Sequence, residues 1–343
     1  MNDLTFMDMA AQFASLADKA LTFENPRVGA VIVKHGKVLA TGYHKAFGKP
    51  HAEIDAYNQL VDKSQIKGAT LYVTLEPCAV QGKVNSCAMA MKNWGLKRVV
   101  VGTIDPNPKT TGKGIAILKN SHVLVSVLNT QHSRELNPEF HQYFEHHLPY
   151  IQLKLAISTN GLVSTSTQQQ VKLTDEEADR DVHHERAKRS AIMIGSQTFL
   201  TDLPNLTVRY SRIAHHQPVR IVIDRRGRLM DLPQHFTTGW LVYTENKTFA
   251  SLYKNVVAIQ NGLIDVLTDL FDKKIQSVMV EGGPTLMASF LKENLWQEML
   301  VYQTRQFLNE NGLRAALPEK IPIKQTTVGN ATKWIYINLN GGI

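Results

Sequence analysis

His51-Ala52-Glu53-Ile54-Asp55-Ala56 opens one segment of this chain, and Ala69-Thr70-Leu71-Tyr72-Val73-Thr74-Leu75-Glu76-Pro77-Cys78 forms the next. The first predicts a helix over residues 51–61. The second is β-branched and aromatic and predicts a strand over residues 69–75. Residues 86–94, 98–102, 114–119 and 123–127 continue as helix, strand, helix and strand. Strands alternating with helices predict an α/β layered domain with a mostly parallel sheet. Upstream, residues 28–34 and 37–41 flank His35-Gly36 and predict a hairpin. Phe6, Met9, Phe13, Leu16 and Ala20 recur at helical spacing ahead of it.

The ends of these elements carry the chemistry. The imidazole of His51 and the thiols of Cys78 and Cys87 suit three corners of a Zn²⁺ tetrahedron. The fourth corner stays open for water, a catalytic rather than a structural pattern. His51 and Cys87 both stand where a helix begins, and the partial positive charge there favours a thiolate. Glu53 is not needed as a ligand and is free to move protons, the arrangement of the zinc deaminases. The competing reading of the two cysteines is a disulfide. No export signal is legible in the sequence, which argues against it.

The 343 residues suggest two domains, with a break near Leu148-Pro149 and hence segments 1–147 and 148–343. After the break, residues 151–157, 191–195, 219–224, 239–243, 256–259 and 275–281 are strand candidates. Residues 174–189, 263–271 and 285–292 are helix candidates, the first with Thr174 as cap and Glu177 completing a capping box. A net charge of +8, evenly spread and without a Lys/Arg cluster, fits a phosphorylated small molecule, or no specific partner, better than nucleic acid. No apolar run approaches the length of a membrane span, so the expected address is the cytoplasm. The pairs His146-His147 and His183-His184 read as surface residues. Asp105 and Asn107 read as turn formers in a Pro-rich loop.

Four ordered motifs carry a closer resemblance. They are Asn25-Pro26-Arg27-Val28-Gly29, His51-Ala52-Glu53, Thr74-Leu75-Glu76-Pro77-Cys78 with Gly82 before Cys87, and Asp105-Pro106-Asn107-Pro108. Together they resemble the bifunctional deaminase–reductase family of riboflavin biosynthesis. Eight residues separate Cys78 from Cys87, which excludes a close match to tRNA, DNA and deoxycytidylate deaminases. The resemblance implies a cytidine-deaminase-like α/β/α layer domain that deaminates a pyrimidine carrying a phosphoribosylamino group. It implies His51, Cys78 and Cys87 as zinc ligands, Glu53 as proton shuttle, Asn25 and His44 on the pyrimidine, and Lys83 on the phosphate.

In the second half, Lys154-Leu155-Ala156-Ile157-Ser158 with Gly161, Leu206-Thr207-Val208-Arg209 and Val280-Glu281-Gly282-Gly283-Pro284 resemble the reductase domain of that family. The resemblance implies a dihydrofolate-reductase-like fold that uses NADPH to reduce the ribose to a ribityl chain. Ala156, Thr198, Asp202 and Gly283 would border the cofactor. Lys154, Arg186, Leu206, Arg209 and Glu281 would border the substrate. The two arginines suit a phosphate through forked hydrogen bonds, and Gly282-Gly283 permits close backbone approach.

The chain departs from the family in places. Ala79-Val80-Gln81 and Val84-Asn85-Ser86 replace its usual residues between the two cysteines. Asn160 stands where the family has Asp, and Gln168-Gln169-Gln170-Val171-Lys172 where it has Gly-x-Ser-x-Trp. Gln303-Thr304-Arg305-Gln306-Phe307 stands where the family has Ala-Pro-Lys and a glycine loop. A second reading therefore stays open: a deaminase whose reductase-like domain is a remodelled, non-catalytic module. A nucleic-acid base deaminase is disfavoured by the cysteine spacing and the missing basic stripe. A non-enzymatic paralogue is disfavoured by the retained ligands and Glu53. The expected partner is a small molecule, not nucleic acid or membrane, and a homo-oligomer is compatible with the sequence.

Overall fold

The computed structural model describes residues 2–79, 86–165, 171–210, 216–309, 312–339 and 341. The chain forms two compact units, Met1–Glu145 and His146–Ile343. Among the described residues no helix is long and apolar enough to cross a membrane.

Among the described residues the first unit is built on five strands: β1 Gly29–Lys34, β2 Lys37–Tyr43, β3 Thr70–Val73, β4 Arg98–Val101 and β5 Leu124–Val127. Their order is β2-β1-β3-β4-β5. β1 runs antiparallel to both β2 and β3, and only the β3–β4 and β4–β5 pairings are parallel. The mostly parallel sheet expected from the sequence is thus half antiparallel. The cause is the hairpin, which turns the chain back at His35 and Gly36, both at positive φ (50° and 73°), as a two-residue primed turn requires.

Alternation decides the layers. Ala30, Ile32, Leu71, Val73, Val99 and Val101 pack against Ala52, Ala56, Ala88 and Met91 on one face. Val31, Val33, Tyr72 and Val100 pack against Phe6, Met7 and Ala10 on the other. A period of two in buried strands gives a helix layer on each side. The first helix, Asp3–Ser15, is shorter than its apolar spacing suggests. Asp18 ends the run, because its side chain accepts from Ala20 N and starts a new short helix, Lys19–Thr22.

Among the described residues the second unit holds nine strands: β6 Tyr150–Ile157, β7 Ala191–Gly195, β8 Val219–Ile223, β9 Trp240–Thr244, β10 Val256–Ala258, β11 Ser277–Glu281, β12 Glu298–Thr304, β13 Lys324–Val328 and β14 Ala331–Ile337. Their order is β10-β9-β8-β7-β11-β6-β12-β14-β13. All pairings are parallel except those of β14 with β12 and β13. The chain leaves β6, skips a place, forms β7 to β10 outward and returns as β11 between β7 and β6. That reversal opens a crevice at the carboxyl ends of β6, β11 and β7. The helix expected to begin at Thr174 runs over Glu176–Ala187 with Asp175 as its cap. The Asp175 carboxylate accepts from Ala178 N at 3.0 Å, whereas Thr174 Oγ1 donates to Asp179. An Asp at the cap outcompetes the predicted Thr box.

In the first unit the helix Ala52–Gln59 lies tightly on β2. A Cβ at Gly42 would stand 2.2 Å from Ala56 N and 2.7 Å from Ala52 O, all backbone. Gly42→Ala is therefore expected to cost about 1–3 kcal/mol or more. The check is a lowered urea midpoint with an unchanged slope; an unaltered midpoint would contradict the packing.

Candidate metal centre and reductase cleft

His51 is the extended residue that precedes the helix Ala52–Gln59, and Cys87 opens the helix Cys87–Met91. Ser86 caps the latter by accepting from Met89 N. Cys78 follows β3 through Glu76-Pro77. The fold brings the three together. His51 Nδ1 lies 3.6 Å from Cys78 Sγ and 3.3 Å from Cys87 Sγ. Edges of about 3.5 Å are expected between N and S corners of a zinc tetrahedron with ordinary bond lengths. All three donor atoms lie within 4.8 Å of one another, and the two thiols are not joined in a disulfide. The donor set therefore fits Zn²⁺, with His51 toward solvent and Cys87 buried.

The electrostatics favour the thiolate at Cys78 rather than at the helix-opening Cys87, where the sequence placed it. The Cys78 thiol is pushed down to about 4, chiefly by the hydrogen bond from Cys87 and then by that from His51. The Cys87 N–H also donates to Cys78 Sγ at 3.3 Å. Cys87 is pushed up, since the shared proton rests on it and it is buried. His51 is raised by its bond to Cys78. Glu53 is 3 % exposed. Burial raises its carboxyl, and the charge of His51 opposes that rise.

Two further predicted residues stand beside the cluster. The ring of His44 meets that of His51 edge-on at 5.2 Å. His44 Nδ1 faces Pro50 O at 3.1 Å, so it donates there, and Nε2 is left to accept from Asn25 Nδ2 at 3.4 Å. Burial lowers the His44 pKa and keeps this ring neutral. Lys83 lies outside the described residues.

Glu76 is a member of the site that sequence reasoning missed. Its carboxylate is buried and accepts from the N–H groups of Asp105, Gly112, Gly114 and Ile115 at 3.0–3.4 Å. It thereby ties the strand end that bears Cys78 to the loop 105–112 and to the start of the helix Lys113–Asn120. Within that loop Asp105 and Asn107 form side-chain turns to Asn107 N and Lys109 N. Asp105 is pushed up to about 6 by burial, with Glu76 and Cys78 adding to the effect.

In the second unit a cavity of about 570 Å³ fills the crevice at the strand ends. Lys154, Ala156, Arg186, Thr198, Asp202, Leu206, Arg209, Glu281 and Gly283 all line it. Every residue that the sequence assigned to this pocket is thus brought to one cleft.

Comparison with known proteins follows the same division. Residues 1–103 match the cytidine and deoxycytidylate deaminase zinc-binding region, and residues 149–312 match the RibD C-terminal domain. The riboflavin biosynthesis protein RibD of Aquifex aeolicus is 36% identical over 96% of this chain and 95% of its own. The RibD of Escherichia coli is 33% identical over 91% and 90%. The chain belongs to the RibD family. In three dimensions it is similar to Acinetobacter baumannii RibD, with a TM-score of 0.78, 32% identity and 98% of both chains covered. A Thermotoga maritima diaminohydroxyphosphoribosylaminopyrimidine deaminase/5-amino-6-(5-phosphoribosylamino)uracil reductase is similar at a TM-score of 0.77 and 30% identity, over 96% and 97%. RibD chains are bifunctional deaminase–reductases of riboflavin biosynthesis, and this one carries both the zinc-binding deaminase region and the reductase domain.

Two departures from the RibD pattern have structural explanations. Asn160 Oδ1 accepts from Ser158 Oγ and Leu308 N, while its Nδ2 donates to Leu308 O at 2.8 Å. A carboxylate could not donate, so the amide suits this junction. Lys172 turns outward to Asp179 at 3.2 Å and is 72% exposed, leaving Val171 and Leu313 to the cavity wall. Gln168, Gln169 and Gln170 lie outside the described residues.

The expected Arg fork is altered. Arg186 Nε and Nη2 both bond the Glu281 carboxylate, and Nη1 donates to Thr207 O. Its fork is thus closed on Glu281, whereas Arg209 stands exposed at the cavity. Opposing charges hold Glu281 down to about 2 against the effect of burial. Removing one partner of such a buried pair costs about 3–5 kcal/mol.

His183, expected at the surface, is 3 % exposed. Its Nδ1 accepts from Arg209 N at 3.0 Å, and its ring meets Tyr210 edge-on. Helix position explains the difference: Ala178, Val182, His183 and Glu185 form the buried side of Glu176–Ala187. Burial, then the charges of Arg186 and Arg209, lower His183 from 6.5 to about 4. Its contribution to stability is complete above pH 6.5 and is lost as pH falls toward 4. His183→Gln should flatten that part of the stability profile. A variant profile parallel to the parent's in thermal unfolding would contradict the assignment.

Proposed function

We propose that the first unit hydrolytically deaminates a phosphoribosylaminopyrimidine and that the second reduces the ribose of the product with NADPH. The observation that carries the first half is the approach of Cys78 Sγ and Cys87 Sγ to 3.6 and 3.3 Å from His51 Nδ1, with Glu53 in the adjoining helix turn. His51, Cys78 and Cys87 would hold the zinc, which when bound makes water a nucleophile at neutral pH. Glu53 takes the proton of the attacking water and returns it to the departing ammonia. Asn25 and the neutral His44 hold the pyrimidine, and Lys83 its phosphate.

For the second half, Ala156, Thr198, Asp202 and Gly283 border the cofactor. Gly283 N–H donates to Thr198 Oγ1 at 3.1 Å, and a Cβ at Gly283 would crowd that oxygen at 3.3 Å. The backbone here leaves room for a ligand that a larger residue would fill. NADPH supplies a hydride when bound. Arg209 offers its fork to the substrate phosphate. Glu281 orients Arg186, and Lys154 and Leu206 complete the substrate wall. The residues assigned to this pocket in the present sequence all line the cavity, which supports a working reductase over a non-catalytic second unit.

Glu53→Gln is expected to retain about one zinc per chain while losing about 100-fold or more in ammonia release. Retention of the parental rate would remove Glu53 from proton transfer. Cys87→Ser should lose the metal by elemental analysis, and full zinc content would refute the ligand set. For the second unit, the deaminase substrate supplied together with NADPH should release ammonia and then give a falling absorbance in the reduced-nicotinamide band. Ammonia release without any cofactor oxidation would confine the activity to the first unit.

A further inference from the structure

We propose that Tyr302 is a positioning residue for Lys154, with Asp181 and Lys333 fixing the orientation of its ring. The inference rests on the reading that Lys154 borders the reductase substrate. Strand register sets up the arrangement. Tyr302 lies directly opposite Ala156 on β6 and Lys333 on β14, and Lys154 is two residues before Ala156. Lys154, Ala156, Tyr302 and Lys333 therefore share one face of the sheet. The helix Glu176–Ala187 lies on that face, with Ala178 and Val182 packed against Leu300 and Tyr302.

Lys154 is weakly held by ion pairing. Its Nζ stands 3.7 Å from Glu281 Oε2, an oxygen already bonded by Arg186 at 2.9 Å. The second support is the ring of Tyr302, whose centroid is 5.9 Å from Nζ, within cation–π reach. The ring in turn is anchored at its far end. Tyr302 Oη donates to Asp181 Oδ2 at 2.6 Å. Lys333 Nζ donates to the same oxygen at 2.7 Å and to Glu185 at 2.8 Å. Lys333 Nζ also lies 5.5 Å from the Tyr302 centroid.

A buried ionic cluster of this kind is a costly way to fill space, because apolar side chains of similar volume stabilise a core as well or better. Its geometric product is one ring held at a fixed angle beneath one cleft lysine. An aromatic platform anchored through its hydroxyl restricts where the ammonium can sit, which matters when a displacement of about 1 Å costs about 100-fold in rate.

The test uses the full-length chain, with the deaminase rate and the unfolding midpoint as controls for folding. Tyr302→Leu should lower reductase kcat about tenfold and leave the KM for NADPH unchanged. Tyr302→Phe keeps the ring, loses the anchor and should fall about threefold. Both substitutions are then placed in a Lys154→Met background, with kcat and the dissociation constant of the reductase substrate measured for each. If Tyr302 acts through Lys154, it has no further effect there. Equal losses in both backgrounds would make Tyr302 a structural residue only and overturn the proposal. A Lys154→Met enzyme with the parental reductase rate would overturn the underlying reading as well, so the two failures are told apart.

Discussion

The convergence of one imidazole and two thiols is the constraint on which the first unit depends. Each donor is placed by a different element: His51 by the start of one helix, Cys87 by the start of another, and Cys78 by the end of β3. Both sulfurs can lie 3.3–3.6 Å from His51 Nδ1 only if both helices are seated closely on the sheet. That seating explains the small residues at the interface, with Ala52, Ala56 and Ala88 fully buried. It also explains Gly42, whose missing side chain lets the backbone of β2 touch the helix that carries His51 and Glu53. Packing and chemistry are the same fact here, since loosening the helix would separate the donors.

The carboxylate of Glu76 extends the constraint outward. It accepts four backbone N–H groups, which no neutral side chain could satisfy together. The strand end that bears Cys78 is thereby locked to the loop that bears Asp105 and Asn107. A metal ligand and the loop around it are held as one body before any ligand binds, which is what preorganisation requires of a catalytic site.

The second unit uses buried charge in another way. Glu281 sits at the end of β11 between Lys154 of β6 and Arg186 of the covering helix. Unpaired, it would be expensive to bury; paired, it fixes two cations at the floor of the cavity. The same helix turns Asp181 and Glu185 to Lys333. One helix therefore carries charge to the cleft on one side and to a supporting network on the other.

Much of this was legible in the order of residues. Element types follow from hydrophobic period, and strand β7 falls where β-branched and apolar residues run between turn formers. The zinc donors were legible because their identities and spacing leave few chemical alternatives. The residues of the second cleft were legible only through family resemblance, since no local pattern marks Thr198 or Asp202. Other features required three dimensions. The antiparallel half of the first sheet depends on which strands pair, and the buried state of His183 depends on which helix face meets the sheet. Glu76 and Tyr302 look ordinary in sequence, and their partners lie 29–39 and 121 residues away. Sequence alone thus determined which atoms could bind a metal or move a proton, because that is a property of side-chain type. Tertiary structure decided which of them meet, because burial and long-range hydrogen bonding exist only after strands from distant parts of the chain have paired.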